Sequence, residues 1–374
     1  MLSNYKYSKN YYLIVVAVDS EKSKSMIDAA IKVGVEHVFI GKGRGVLNKT
    51  KIGFIPVPSI SPLYDILNII VPKEALNLVM NTLIRVGHLN QFGAGSIYAT
   101  HVEDIWFRNT ELFTGDSAKN NVEMEFELQK DLVAINCVCQ LTHADVIASG
   151  AMQAGSASPT VSFGYGHGIR DRLGFFLQLT INPKKEVIEL VVGAAEAERI
   201  FEVMVAKGNL DQPAQGFIST RPVEAGLINT MSFQETSPYP ATMEQIIKAV
   251  DQLQGNTKWR SSGTIMAAHT PHRKKLYNLV SLNCIVNRGL GDVCSMAAME
   301  AGAGGTSTSF ANAVPIAKHA NKLDGSDERE MINMTIPESK VKTVIEALAK
   351  MPELQSAPVV IYANHAPQAL TYFK

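Results

Sequence analysis

The stretch LVAINCVC, residues 132–139, recurs almost unchanged as LVSLNCIV at residues 279–286, and a third apolar stretch, LIVVAV, occupies residues 13–18. Each of the three has the length of a β-strand and is apolar at nearly every position. Uninterrupted apolar character is typical of a strand that is covered on both faces of its sheet. Such a strand at three places in one chain indicates an internal repeat.

A short motif that ends in glycine follows each strand: AIKVG ends at Gly34, AMQAG at Gly155 and AMEAG at Gly302. The first two are 155 − 34 = 121 residues apart, and the same spacing separates Gly87 from Gly208, since 208 − 87 = 121. The third lies 302 − 155 = 147 residues after the second. A glycine at the end of a helix-periodic stretch is a common C-terminal cap. The sequence therefore predicts three copies of one unit.

Each unit is predicted to run strand, helix, strand, glycine-rich loop, strand, helix, strand, which is the order of the ferredoxin-like fold. Such a unit covers one face of its sheet with helices, so the other face needs a partner. We therefore predict the α+β class, with three ferredoxin-like repeats that form an intramolecular pseudo-trimer. The predicted domains are residues 1–106, 107–230 and 231–374, and the last two each begin with a connector. The second connector contains a predicted amphipathic helix at residues 241–253.

Charge and hydropathy exclude several classes of protein. The chain of 374 residues has 35 Lys and Arg against 35 Asp and Glu, so it has no overall field that would attract nucleic acid. No apolar stretch approaches the roughly 20 residues of a membrane-spanning helix, and the N-terminus lacks the apolar core of a signal peptide. These features predict a cytoplasmic protein without membrane insertion. The four cysteines fit buried, reduced thiols; they are Cys137, Cys139, Cys284 and Cys294.

Several motifs have both a functional and a structural interpretation. GKGRG at residues 41–45 has the glycines of a phosphate-binding loop, but it lacks the Gly-Lys-Ser/Thr ending of that motif. His269 and His272 could bind a metal, although a solvated pair in a connector is the simpler interpretation. Glu103 and Glu224 are 224 − 103 = 121 residues apart, which predicts a matching structural contact such as a salt bridge. No Ser-His-Asp, Cys-His or paired-carboxylate arrangement stands out, so we predict a protein that is not an enzyme.

Four stretches together resemble the PII and PII-like nitrogen-regulatory signalling family. AGSASPTVSFGYGHG at residues 154–168 and AGAGGTSTSF at residues 301–310 are similar to the family's second strand as it enters a glycine-containing loop. INPKKEVIELVV at residues 181–192 resembles the third strand. GNLDQPAQGFISTRPVEAGL at residues 208–227 resembles the short loop between the second helix and the fourth strand. The order and spacing of these stretches carry the resemblance.

The resemblance implies that an adenine nucleotide, ATP, ADP or AMP, binds as an effector in clefts between the units, with no firm cofactor. Each cleft would combine the start of one unit's long loop with the short glycine loop of its neighbour, since glycines let backbone N–H groups approach phosphate closely. The implied ligand-binding residues of the first unit are Gly41, Gly43, Arg44, Gly45, Gly87, Gly93 and Gly95. Those of the second unit are Thr160, Gly164, Gly166, His167, Gly168, Gly208, Gln215 and Gly216.

The chain departs from the family pattern at two points. The family has a lysine just after the short loop, where this chain has Ser96 and Phe217. In the third unit, Ala311 and Ala313 stand in place of the long-loop glycines, so this unit is degenerate. We therefore expect at most one or two ligands per chain.

The predicted function is that of a non-enzymatic, PII-like signalling protein. A small effector would bind between the units and order the long loops, which would then engage a protein partner. One alternative is a structural or interaction module that has lost ligand binding. Another is a metal-tolerance-type protein of a related trimeric fold.

Overall fold

The computed structural model describes residues 4–46, 51–52, 55–56, 61–115, 122–168, 183–229, 249–250, 253, 273–315 and 327–372. The predicted connector helix at residues 241–253 therefore lies almost wholly outside the described residues, and so do His269 and His272. Three segments, named here by their order in the chain, contain the strands and helices.

The first segment contains two α-helices and eight strands. Its elements are β1 (Lys6–Ser8), β2 (Tyr11–Asp19), α1 (Ser20–Lys32), β3 (His37–Gly45), β4 (Lys51–Ile52), β5 (Ile55–Pro56), β6 (Leu63–Pro72), a 3-10 turn (Lys73–Ala75), α2 (Leu76–Gly87), β7 (Gly95–Val102) and β8 (Asp104–Arg108).

The second and third segments show the same alternation of strands and helices. The second contains β9 (Leu132–Gln140), α3 (Ala144–Gln153), β10 (Thr160–His167), β11 (Lys184–Gly193), α4 (Ala194–Gly208), β12 (Gly216–Val223) and β13 (Ala225–Asn229). The third contains β14 (Leu276–Asn287), α5 (Gly291–Glu300), β15 (Thr306–Pro315), β16 (Glu328–Pro337), α6 (Glu338–Lys350), a 3-10 turn (Pro352–Leu354) and β17 (Val359–Thr371). The three apolar stretches that suggested a repeat lie in β2, β9 and β14.

Local chemistry explains where several helices begin and end. The Asp19 side chain accepts a hydrogen bond from the Glu21 backbone N–H at 2.9 Å, which caps the N-terminus of α1. Helix α2 ends at Gly87, and His88 then takes the left-handed conformation with φ +52°. A Cβ at Gly87 would lie 2.7 Å from the Met26 sulfur, so this glycine allows α1 to pack closely on α2.

One continuous antiparallel sheet of fifteen strands unites the three segments. Nine strands close a ring in the order β17, β12, β9, β11, β10, β3, β15, β16, β14 and back to β17. The other six extend from the ring: β6, β2, β7 and β13 follow β3, and β8 and β1 follow β17. Strands β4 and β5 pair separately.

This topology corrects the predicted fold class. The prediction of three ferredoxin-like α+β repeats in an intramolecular pseudo-trimer is wrong, because the strands do not form three separate sheets. The physical reason lies in the sheet edges: unpaired N–H and C=O groups on an edge strand favour pairing with another strand. Here β10 pairs with both β3 and β15, and β3 also pairs with β15, so the edges of all three segments hydrogen-bond to one another.

Four large buried clusters form the core. One belongs mainly to each segment, between its helices and its strands. The fourth, called here the central cluster, takes side chains from all three segments, among them Leu13, Tyr98, Leu132, Val191, Ile285 and Tyr362. Among the described residues, none of the helices combines the length and apolar character that a membrane crossing requires.

Backbone contacts between segments include the two matched glutamates. The Glu224 N–H donates to the Ala99 carbonyl at 2.8 Å, and the Glu103 N–H donates to the Ala363 carbonyl at 2.9 Å. The two glutamates therefore make matching backbone contacts, and the predicted contact through their carboxylates stays a prediction.

Candidate functional site

A small, open cleft lies between the first and second segments. Ile66, Ser96 and Tyr98 are among its residues from the first segment. Ser158, Thr160 and Glu189 are among those from the second. The remaining wall is largely aliphatic, so the cleft joins an apolar surface to a few polar groups, which is the usual character of a small-molecule site.

Glu189 is the charged residue that lines this cleft, and its carboxylate accepts hydrogen bonds from two donors. The Tyr98 hydroxyl donates to its Oε1 atom, and Arg221 Nη2 lies 2.9 Å from the same oxygen. The side chain of Arg221 is 15% exposed and that of Glu189 is 25% exposed. The network therefore joins β7, β11 and β12 in a setting with little water, where hydrogen bonds to charged groups are strong.

Burial and charge shift the ionisation of this network. Burial and the negative charge of Glu189 raise the pKa of Tyr98 well above its usual value, so the phenol keeps its proton. Burial alone would lower the pKa of Arg221, but Glu189 and the nearby Tyr98 and Tyr362 more than offset this effect and raise it. Tyr98 is thus a fixed donor and Arg221 a fixed cation at neutral pH.

The predicted glycine loop at residues 41–45 is a strand in the structure, since it forms the end of β3. Gly43 lies opposite Tyr64 and Ser162, and Gly45 lies opposite Thr160. A Cβ at Gly43 would lie 2.9 Å from Ile66 Cδ1 and 3.1 Å from Thr160 Cγ2. Gly43 and Gly45 thus meet Thr160 at the cleft wall, and the absence of a side chain at Gly43 allows the close approach.

Arg44 points to the other face of β3, toward the beginning of α3. Its guanidinium lies 2.7 Å from Asp145 Oδ1 and 3.4 Å from Glu186 Oε1. Glu186 also accepts a hydrogen bond from the Ala144 backbone N–H at 3.0 Å. The structure therefore places Arg44 in an ion cluster between segments, with two carboxylates that balance its charge.

The long-loop residues of the second segment lie on or next to β10. Gly164 faces Ser309 on β15, and a Cβ there would lie 2.7 Å from the Thr308 carbonyl oxygen. His167 Nε2 lies 3.1 Å from Asp292 Oδ1. Gly166 also pairs within this ladder, and Gly168 follows its end. The tips of both long loops lie largely outside the described residues, so their partner-binding role stays a prediction.

The short loops form hydrogen bonds with strands of other segments. The Gly93 N–H donates to the Asn229 carbonyl at 2.8 Å, and the Thr371 hydroxyl donates to the Gly216 carbonyl at 2.9 Å. Gly95 directly precedes Ser96, which lines the cleft. Of the ligand-binding residues that the resemblance implied, Thr160 lines the cleft. The others do not: Gly41, Gly43, Arg44, Gly45, Gly87, Gly93, Gly95, Gly164, Gly166, His167, Gly168, Gly208, Gln215 and Gly216.

Sequence reasoning missed Tyr98, Glu189 and Arg221. A signal for two of them was present, because Glu189 and Arg221 are charged residues inside otherwise apolar strands, and a charge in a buried strand needs a partner. The pairing itself depends on how the segments meet. Within the described residues, no group of three or more His, Cys, Asp or Glu side chains could hold a metal ion.

No family model and no curated protein sequence matches the chain. Among solved structures, the chain is similar to one titled "Crystal Structure of Arabidopsis thaliana PII bound to citrate", with 21% sequence identity and a TM-score of 0.23. The similarity covers 29% of this chain and 96% of that chain.

Proposed function

We propose that this chain is a non-enzymatic regulatory protein of the PII-like kind, which binds a small effector in the cleft between its first and second segments. The observation that carries the proposal is the Tyr98–Glu189–Arg221 network, built from both segments at one cleft. A ligand that contacts both walls favours the arrangement in which the walls are held together, so its binding free energy stabilises that state. This is the physical basis of an effector response.

An adenine nucleoside or nucleotide is the proposed effector class. The aliphatic wall, with Val15, Ile66 and Leu190, suits a flat apolar ring, and the Glu189 carboxylate is an acceptor for an amino group. Because Asp145 and Glu186 already balance Arg44, we expect adenosine and AMP to bind more tightly than ATP.

The lining of the cleft supports binding rather than catalysis. Its residues, within the described part of the chain, include no histidine and no cysteine. The Glu189 carboxylate already accepts hydrogen bonds from a phenol and a guanidinium, which stabilise its charge and weaken it as a base. We therefore propose that the protein is not an enzyme.

Calorimetric titration with adenosine, AMP, ADP and ATP tests the proposal. Ala157 lines the cleft, so Ala157→Leu should fill part of it and weaken binding by about tenfold or more, since lost shape fit commonly costs 1–3 kcal/mol. Gln153→Leu, at the exposed end of α3, is the matched control and should bind like the wild type. Absence of heat with all four compounds, or equal binding by Ala157→Leu and wild type, would contradict the proposal.

A second candidate is an interaction module without a ligand. The internal pairing of Arg44 and the strand-packing role of Gly43 and Gly164 favour it, because both features occupy residues that a phosphate site would need. The same titration separates the two candidates, since the module should show no binding while its thermal unfolding stays cooperative.

A further inference from the structure

We propose that the three segments meet around a buried water-binding site formed by Thr100, Arg221 and Asn364. Each of these residues comes from a different segment: Thr100 from β7, Arg221 from β12 and Asn364 from β17. The site is distinct from the effector cleft and does not depend on the proposed function.

The three residues occupy matching positions in their ladders. Thr100 lies opposite Leu13, and Arg221 lies opposite Ala134. Asn364 lies opposite Ser281. The three facing residues are separated by the spacings that relate the segments in sequence, since 134 − 13 = 121 and 281 − 134 = 147.

Their side chains face the central cluster. Thr100 alternates with Tyr98 and Val102, which both belong to that cluster, and Arg221 alternates in the same way with Val223. Asn364 lies two residues after Tyr362, another member. Thr100 and Asn364 are each fully buried, with 0% exposure.

Hydrogen bonds bring the three strands together at this level. The Asn364 Nδ2 atom donates to the His101 carbonyl at 2.6 Å, directly beside Thr100. The Glu103 and Glu224 N–H groups donate to Ala363 and Ala99, one residue away from Asn364 and Thr100. Tyr362 contributes to the electrostatic environment of Arg221, which places β17 near β12 as well.

Three buried polar atoms at these positions have no hydrogen-bond partner among the described residues: Thr100 Oγ1, Arg221 Nε and Asn364 Oδ1. Leaving such an atom unsatisfied costs about 1–3 kcal/mol, so native structures supply a partner, often a buried water with roughly three hydrogen bonds. Arg221 Nε is a donor, Asn364 Oδ1 is an acceptor, and the Thr100 hydroxyl is both.

Water is the ligand that this set selects. It accepts from Arg221, donates to Asn364, and can still bond the Thr100 hydroxyl as donor or acceptor. An anion would leave the Asn364 oxygen without a donor, and that amide is fixed in orientation because its nitrogen bonds to His101. A metal cation does not fit, because the guanidinium has only donor N–H groups and no lone pair with which to bind it.

A crystal structure of the full chain, at a resolution that shows ordered solvent, tests the proposal. The expected result is a water within about 2.7–3.2 Å of Arg221 Nε and of at least one of the other two atoms. Direct protein partners for these three atoms would overturn the proposal, as would a dry contact or density for a larger solute.

A pair of substitutions at Thr100 gives the matched test. Thr100→Ser keeps the hydroxyl and should keep the water, whereas Thr100→Val keeps the shape and should lose it. In solution, magnetisation transfer from water to the methyl groups of Leu13 and Val102 should be present in the wild type and in Thr100→Ser, and should fall at least about threefold in Thr100→Val, as the water leaves. Equal transfer in all three proteins would overturn the proposal.

Discussion

Arg44 of the first segment and Glu186 of the second form an ion pair, with Nη2 of the arginine 3.4 Å from Oε1 of the glutamate. Glu186, on β11, contacts the beginning of α3, and its counterparts on β6 and β16 contact the beginnings of α1 and α5. Asp65 accepts hydrogen bonds from Ser20 and Ser23, and Glu330 accepts one from the Gly291 N–H at 2.5 Å. The spacings are 186 − 65 = 121 and 330 − 186 = 144.

Each of these acids therefore satisfies donors at a helix N-terminus, where a negative charge is favourable. Their cationic partners differ. Lys42 pairs with Asp65 at 2.6 Å within one segment, and Arg288 lies 3.6 Å from Glu330, also within one segment. Only the pair of Arg44 with Glu186, of these three, crosses between segments.

Arg44→Gln should destabilise the protein by about 1–3 kcal/mol, because it leaves the buried carboxylate of Glu186 without its guanidinium partner. The side chain of Glu186 is only 6% exposed, so water cannot replace that partner fully. Equilibrium unfolding in urea gives the free energy of unfolding of the variant and the wild type.

Arg85→Gln is the matched control for this prediction. Arg85 pairs with Glu125 on the surface, where the two side chains are 60% and 47% exposed. An exposed pair contributes about 0–1 kcal/mol, so the control should lie close to the wild type. Equal losses in the two variants would show that the Arg44 cluster is not a buried junction.

Asp65 should make the free energy of unfolding depend on pH in the acidic range. Burial raises the pKa of Asp65, but hydrogen bonds from Lys42, Ser23 and Ser20 more than offset this effect and lower it below 3.8. A lowered pKa in the folded state stabilises the protein above the unfolded pKa, and this contribution is lost as the pH falls through the folded value.

The difference in unfolding free energy between wild type and Asp65→Asn should therefore be constant at neutral pH and should shrink below pH 3.8. Urea unfolding of both proteins at a series of pH values measures that difference. A difference that stays level, or grows, as the pH falls below 3.8 would contradict the assignment of the lowered pKa to Asp65.

Much of the local structure followed from the sequence, because apolar strands and glycine-ended helices are short-range patterns. The stretches at residues 13–18, 132–139 and 279–286 are strands that lie in β2, β9 and β14. Their closure into one ring was not predictable in the same way, since strand pairing between segments depends on edges that lie far apart in sequence.

The glycines at residues 41–45 show why the site was harder to predict than the fold. Glycine permits both a phosphate-binding loop and the close approach of a neighbouring strand, and composition alone does not distinguish these uses. In the structure Gly43 serves the second use, against Thr160 and Ile66. The Glu189–Arg221 pair was not predictable from the sequence, because the two residues meet only once β11 and β12 are placed in the assembled sheet.

Gly95→Ala should be among the most damaging single substitutions in the chain. Gly95 has φ +126°, and a Cβ there would lie 2.3 Å from the Ala17 carbonyl oxygen, so both the backbone and its neighbour would have to move. We expect a loss of about 3 kcal/mol or more in unfolding free energy, measured in urea.

Substitutions at two other glycines distinguish backbone strain from steric contact as causes of that loss. Gly289 has φ +90° but nothing within 4 Å of its Cβ position, so Gly289→Ala should cost only the backbone strain, about 1–2 kcal/mol. Gly304 has open space as well and no φ in the left-handed range, so Gly304→Ala should be nearly neutral. A loss for Gly95→Ala no larger than that for Gly289→Ala would show that the contact with Ala17 is unimportant.

The four cysteines should be unreactive until the protein unfolds. All are buried free thiols, and a hydrogen bond from the Cys137 thiol to Cys139, together with burial, raises the pKa of Cys137 well above its usual value. The neighbouring Cys294 and burial raise the pKa of Cys284 in the same way. Because the thiolate is the reacting form, reaction with a thiol reagent at pH 8 should be at least about 100-fold slower in the native protein than in guanidinium chloride.

The number of thiols released on unfolding completes this test. Four equivalents should react in denaturant, since both pairs are reduced; only two would indicate that one pair had formed a disulfide. Ser25→Cys supplies the control, because position 25 is exposed on α1 and a thiol there should react at once in the native protein. A rapid phase of one or more equivalents in the native wild type would contradict the burial of these strands, since a reagent that reaches Cys137 or Cys284 must pass between the helices and the sheet.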